Sequence, residues 1–244
     1  MADYFNRVGL LLGDEAMERL ASARVIIFGV GGVGSWTAEA LARTGIGHLT
    51  IVDADCVAQT NVNRQLMATS ATVGQSKVEV LSRRLLEINP ELDLEARHQM
   101  YDATTAAEFD LDSYDFVVDA IDSLSAKALL ILNATRSRAR LVSSMGAALK
   151  LDPTRIQVAE FWKVKGCPLA AALRRRFKKT GEMPRRKFQA VFSDELLQNR
   201  GQATDADTAM TYGKVATNGA LCHVTSIFGM TLAGLIVKQI VERN

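Results

Sequence analysis

The chain has 244 residues, 48% apolar and 23% charged, a composition that suits one large α/β domain with a sizeable core and argues against a disordered polypeptide. A net charge of +2 makes no case for nucleic acid by itself, and Cys56, Cys167 and Cys222 form no C-x-x-C pair, which excludes a zinc ribbon and argues against a disulfide framework. Residues 1–7 carry no apolar run of the signal-peptide kind, so the expected setting is the reducing cytoplasm.

Residues 1–23 read as one or two short helices. Val25-Ile26-Ile27-Phe28 is a β-prone run entering the cluster Gly29-Val30-Gly31-Gly32-Val33-Gly34-Ser35. Good helix formers at a 3.6-residue period occupy residues 36–43, and Leu49-Thr50-Ile51-Val52 is a second strand ending in Asp53 and Asp55. Strand, tight turn, helix and strand, with G-x-G-x-x-G spacing at Gly29, Gly31 and Gly34, make a nucleotide-binding βαβ unit. A tight turn with no ligand is the plain structural alternative. In the nucleotide reading, the turn's backbone N–H groups, that of Gly32 among them, approach phosphate oxygens. The helix start adds partial positive charge, and Asp53 is placed to accept hydrogen bonds from ribose hydroxyls.

Val78, Leu81, Leu85 and Leu86 lie at core spacing in a helix over residues 78–86, stopped by Asn89-Pro90. Leu92-Asp93-Leu94-Glu95-Ala96 alternates as a third strand. Phe116-Val117-Val118 is a buried fourth strand ending in Asp119-Ala120-Ile121-Asp122; a helix over 126–136 and a fifth strand, Leu141-Val142-Ser143, come next. Alternating strands and helices imply a parallel sheet covered on both faces. Residues 147–150 and 155–159 flank Asp152-Pro153-Thr154 as a hairpin, so the sheet is expected to turn antiparallel there. The expected class is a Rossmann-like mixed α/β sheet, parallel in its N-terminal half, antiparallel in its C-terminal extension, with helices on both faces. Residues 1–244 read as one domain: a nucleotide-binding half over 1–150, then a basic segment, an exposed loop over 198–211 and an apolar helix over 217–242 within 151–244.

A dehydrogenase would use the same glycine turn and Asp53, so the nucleotide must be identified from residues further along the chain. Asn61-Val62-Asn63-Arg64-Gln65 and Gly74-Gln75-Ser76-Lys77 bring an Arg and a Lys after the acids, which suits the charge of a triphosphate. Asp122, at the end of the fourth strand, faces the crevice where such sheets bind ligands. A lone carboxylate beside phosphates suits Mg²⁺. Each has a plain alternative: Asp119 as a helix cap, Arg64 in a surface ion pair, Lys77 as a solvated charge. Together they fit ATP better than NAD.

The series Gly29-x-Gly31-Gly32-Val33-Gly34-Ser35, Asp53-x-Asp55, Asn61-x-Asn63-Arg64-Gln65, Val73-Gly74-Gln75-Ser76-Lys77 and Asp119-Ala120-Ile121-Asp122 resembles the ubiquitin-activating-enzyme-like adenylation superfamily, which includes the sulfur-carrier activators of molybdopterin and thiamin synthesis. Residues 40–47, Asp152-Pro153-Thr154-Arg155-Ile156-Gln157-Val158 and Pro168-Leu169-Ala170-Ala171 resemble its tRNA threonylcarbamoyladenosine dehydratase branch in particular. That resemblance implies adenylation of the threonylcarbamoyl carboxylate beside the tRNA anticodon, then ring closure with loss of AMP. By matching position, it implies Asp53 on ribose, Arg64 and Lys77 on phosphates, Asp55, Asn61 and Gln65 nearby, and Asp122 on magnesium. It also implies a homodimer in which Arg7 reaches the other protomer's γ-phosphate, and an alkali cation, Na⁺ or K⁺, for which the segment after Ser143 is the candidate place.

Between Lys163 and Lys187 ten Lys or Arg stand against one acid, Glu182. Leu169, Leu173 and Phe177 can face inward, leaving Lys163, Lys165, Arg174, Arg175, Lys178, Lys179, Arg185, Arg186 and Lys187 as a tRNA platform; a solvated charged face is the alternative. Cys167, before Pro168 at a helix start near Lys163, Lys165 and Arg174, has the setting of a reactive thiol, with incidental packing as the favoured account. The apolar helix at the C-terminus is long enough to span a bilayer. Its His, Ser and glycines favour a packed or dimer-interface helix over peripheral membrane association. Three competitors remain: an activator of a sulfur-carrier or ubiquitin-like protein with a sulfur-transfer partner, a nucleotide-sensing module without catalysis, and an NAD-dependent oxidoreductase.

Overall fold

The computed structural model describes residues 3–202 and 218–242. Two short helices, α1 (Asn6–Leu12) and α2 (Asp14–Ser22), precede β1 (Arg24–Phe28). The doubly wound part continues with α3 (Gly34–Thr44), β2 (His48–Val52), α4 (Lys77–Ile88), β3 (Asp93–Arg97), β4 (Phe116–Asp119), α5 (Leu124–Arg136) and β5 (Arg140–Ser144). After it come β6 (Ile156–Glu160), α6 (Pro168–Thr180), β7 (Gln189–Ser193) and α7 (Cys222–Val241).

The seven strands form one sheet in the order β3-β2-β1-β4-β5-β7-β6. All neighbours are parallel except β6 and β7. Strand β1 is apolar on both faces because the sheet is covered on both: Val25 and Ile27 pack with α2, α3, α4 and α7, while Ile26 and Phe28 pack with α5 and α6. The strand order reverses between β1 and β4, which places the ligand crevice outside their carboxyl ends.

The sequence expectations for the C-terminal half need two corrections. Residues 147–150 form no strand, and Asp152-Pro153-Thr154 closes no hairpin between neighbours. The antiparallel partner of β6 is β7, which comes after α6 and joins the sheet parallel to β5. Helix α7 begins at Cys222, so Gly219 precedes it, and residue 217 lies outside the described residues. Of the loop expected over 198–211, residues 198–202 are irregular and exposed, and the rest lies outside the described residues.

Helix α7 is apolar enough to cross a membrane by length and composition, yet it packs Val224, Phe228, Leu232, Ile236 and Ile240 into the core. Its crossing with α3 is close: a Cβ on Gly229 would lie 2.5 Å from the Val33 carbonyl oxygen and 2.8 Å from the Trp36 Cβ. The Thr37 hydroxyl donates to the Gly229 carbonyl at 3.1 Å.

Candidate active site

The glycine turn connects β1 to α3 with no space for side chains at two positions. Gly29 has φ +86°, and a Cβ there would stand 2.8 Å from the Ala120 carbonyl oxygen; a Cβ on Gly34 would stand 1.9 Å from the Gly29 carbonyl oxygen. The turn is therefore pressed between α3 and the segment leaving β4. Val33 precedes α3 without a side-chain cap, so the amides at this helix start remain suited to an anion. Gly31 faces the Gln65 side chain, and Gly32 lies beside the Arg64 Cγ and Thr225.

Asp53 comes directly after β2 and ties the turn to the next loop. Its carboxylate accepts from the Val30 N–H at 2.8 Å and from the Asp55 N–H at 2.9 Å. Burial pushes its pKa above the usual carboxylate range, against the pull of Lys77 and those two amides. A bridge between Cys56 and Ser76 brings the start of α4 alongside. Lys77, almost fully buried, thereby places Nζ 2.7 Å from Asp55 Oδ2 and 3.9 Å from Asp53 Oδ1.

The loop after Asp55 supplies the second cation. Asn61 is buried and accepts the Ala58 N–H at 3.0 Å, so it shapes the loop. The Arg64 guanidinium donates to the Thr60 carbonyl at 2.9 Å and to Asn63 Oδ1 at 2.8 Å, and Trp36 of α3 holds the Arg64 carbonyl at 3.2 Å. Gln65 is 7% exposed, and its Oε1 has no hydrogen-bond partner among the described residues. The Gln65 amide thus lies beside the turn with Nε2 toward Gly31 and an acceptor left for a ligand or an ordered water. Asp122 is exposed on the turn leaving β4. The glycines, Asp53, Asp55, Asn61, Arg64, Gln65, Lys77 and Asp122 thus all lie on the turn and on the segments that leave β1, β2 and β4. Arg7, exposed on α1, makes no ion pair among the described residues.

A buried ion pair that the sequence does not reveal lies next to Asp122. Asp119 and Lys127 are both fully buried and 2.8 Å apart. Ser143 of β5 donates to Asp119 at 2.6 Å, Asp119 accepts the Ile121 N–H at 3.2 Å, and Lys127 donates to the Ile121 carbonyl at 2.9 Å. The carboxylate and ammonium therefore clamp the turn that presents Asp122. Asp119 is no helix cap, and burial pushes its pKa up against the opposing pull of Lys127 and Ser143. The available signal was a lysine surrounded by Ala126, Ala128, Leu129 and Leu130, eight residues after an aspartate at a strand end.

The basic segment divides into two sets. Lys163, Lys165, Arg175, Lys178, Lys179, Arg185 and Lys187 are exposed. Arg174 is instead turned onto Phe161, donating to its carbonyl at 3.1 Å with the guanidinium 5.8 Å from the ring centroid. Arg186 donates to carbonyls at the C-terminus of α5, including Ala134 and Thr135 at 3.1 Å. Cys167 does lie at the start of α6, but the thiol is buried near Gly146, Arg174 is directed to Phe161, and the cation that interacts with it is Lys150. No cysteine is in a disulfide.

A doubly wound sheet with a glycine turn, an acid after β2 and two flanking cations defines a nucleotide-binding α/β protein. The ThiF family model matches residues 5–244, and the chain belongs to that family. Its sequence is 37% identical over 246 residues to the tRNA threonylcarbamoyladenosine dehydratase of Bacillus subtilis, covering 99% of this chain and 96% of that protein. The Haemophilus influenzae protein of the same name is 35% identical over 98% of this chain and 94% of its own length. Escherichia coli tRNA N6-threonylcarbamoyladenosine dehydratase, solved in complex with ATP, matches with a TM-score of 0.84 at 36% identity, over 97% of this chain and 93% of that one. A shorter match, 33% identity over 175 residues, covers 71% of this chain and 68% of the E. coli molybdopterin-synthase adenylyltransferase.

Proposed function

We propose that this chain uses ATP to adenylate the threonylcarbamoyl carboxylate of N6-threonylcarbamoyladenosine in tRNA and then closes that group to its cyclic, dehydrated form. The observation that carries the reading is one glycine turn ringed by Asp53, Arg64 and Lys77 in a chain matching dehydratases nearly end to end. A carboxylate oxygen attacks the α-phosphorus and pyrophosphate leaves. A nucleophile within the same side group then attacks the activated carbonyl carbon, and AMP departs with the former carboxylate oxygen. Lys77 exchanges Asp55 for phosphate, Arg64 joins it on the polyphosphate, and Asp53 holds ribose hydroxyls; fixed cations of this kind stabilise charge as it develops.

Asp122 is the carboxylate we assign to Mg²⁺. The ion takes few carboxylates alongside phosphate and water oxygens, and no cluster of three metal-ligating side chains occurs among the described residues. When bound, it neutralises charge on the phosphates. The alkali cation is assigned to the segment after Ser143, without named ligands. We assign Arg7 to the γ-phosphate of a second copy's nucleotide in a homodimer, and the exposed lysines and arginines of the basic segment to tRNA. Residues 1–244 act as one adenylation domain in the cytoplasm, with α7 as a core helix rather than a membrane attachment.

The match to a molybdopterin-synthase adenylyltransferase supports a second reading, activation of a sulfur-carrier protein with a sulfur-transfer partner. Pyrophosphate release from ATP, measured with threonylcarbamoylated tRNA or a carrier protein as acceptor, separates the two. Stimulation by tRNA is expected, and stimulation by the carrier alone overturns the proposal.

A further inference from the structure

At the foot of the sheet, opposite the nucleotide crevice, lies a cavity of about 340 Å³ whose lining includes Thr135, Arg140, Arg186, Lys187, Gln189 and Gln239. Arg186 builds its floor: the guanidinium donates to the carbonyls of Ala134, Thr135, Ser137, Arg138 and Ala139 and so closes the end of α5. That leaves Arg140, at the start of β5, and Lys187, just before β7, as the cations available to a ligand. Both are exposed, and neither meets a carboxylate at ion-pair distance among the described residues. Gln239 of α7 donates to Gln189 of β7 at 3.4 Å, which puts two amides on the same wall.

The lining contains no carboxylate. Concave surfaces of one sign concentrate the opposite charge, and a guanidinium fork matches two oxygens of one phosphate. The surroundings add Lys163, Lys178 and Lys179, set against Glu160 opposite Gln189 and Glu182 at the end of α6. The segment Phe161–Lys163 is tied to the foot through the Phe161 N–H and the Phe188 carbonyl at 3.1 Å, and the end of α6 with Lys178 and Lys179 is joined to the end of α5 by Arg136 and Glu182 at 3.5 Å. The sheet separates this foot from the nucleotide crevice by five-residue strands, about 16 Å at 3.3 Å per residue. A ligand engaging both ends must be a polyanion several nucleotides long, which an isolated mononucleotide is not.

We propose that this cavity anchors a single phosphodiester of the RNA backbone, with Arg140 and Lys187 as its ligands and Arg186 as the residue positioning them. The proposal rests on tRNA being the substrate, and its test keeps the two apart. The variants are Arg140→Gln, Lys187→Gln, the pair together, and Arg140→Lys as the charge-preserving control. Thermal unfolding and ATP binding by calorimetry are measured on each, with tRNA affinity taken across a salt series. Each neutral variant is expected to weaken tRNA binding severalfold and to lower the slope of log affinity against log salt by about 0.7–0.9. The pair is expected to lose about twice that slope, and Arg140→Lys to retain it. Unfolding and ATP binding stay at the parental values. Parental tRNA affinity and slope in the double variant overturn the subsite while leaving the substrate intact; a parent that binds no tRNA removes the substrate itself. Tight binding of inorganic phosphate that depends on Arg140 and Lys187 and does not compete with tRNA assigns the cavity to a free anion, which also overturns the proposal.

Discussion

Replacing Lys127 with Met removes one partner of a fully buried ion pair and leaves Asp119 in an apolar layer with only Ser143 and the Ile121 amide. Breaking such a pair costs about 3–5 kcal/mol, because the remaining charge stays buried without its counterion. In a domain of this size about 2–4 °C is lost per kcal/mol, so Tm is expected to fall by roughly 6–20 °C. The sign of the pH dependence is set by Asp119, whose folded pKa already lies above the ordinary value and rises further without Lys127. A carboxyl with a raised folded pKa contributes stability that is complete below the unfolded value and is lost as pH rises through the folded one. The deficit of Lys127→Met is therefore larger at pH 8 than at pH 5, as read from urea midpoints in parallel titrations. Pairing it with Asp119→Leu removes the stranded charge and is expected to recover much of the loss. A deficit below about 1 kcal/mol, or one equal at the two pH values, refutes the clamp.

Three further outcomes test the site. Lys77→Gln is expected to slow ATP–pyrophosphate exchange by about 10²–10³, while circular dichroism keeps the parental spectrum. Gly34→Ala would drive a Cβ to 1.9 Å from the Gly29 carbonyl oxygen, so nucleotide binding by calorimetry should disappear together with several degrees of Tm. If Arg7 acts across a homodimer, reassorting Arg7→Ala subunits with Lys77→Gln subunits restores about a quarter of parental activity, since half the dimers then carry one complete site. Absence of complementation in a mixture proven to exchange subunits removes Arg7 from the γ-phosphate.

The nucleotide half was legible because its signals are local. Val25 to Phe28, the glycine spacing and Asp53 fall within one βαβ unit, where periodicity and turn chemistry determine the outcome. The pairing of β6 with β7 was hidden because the partners are separated by α6, and Asp152-Pro153-Thr154 imitates a hairpin signal without a strand before it. Lys127 is not legible in the sequence because a lysine in a helix looks solvated until the fold supplies a carboxylate from a neighbouring strand. Arg174 and Arg186 have the same charge as their neighbours in the sequence; only their carbonyl partners distinguish them from the other cations of the segment.

The close crossing at Gly229 has a consequence for synthesis on the ribosome. The helix after the phosphate turn starts at Gly34 and is translated early, whereas its backing partner starts only at Cys222. Until Gly229 can settle against Val33 and Trp36, a nascent chain holds its first βαβ unit with one flank bare. Nucleotide affinity should therefore appear abruptly in a series of stalled chains of increasing length, as Cys222–Val241 clears the exit tunnel.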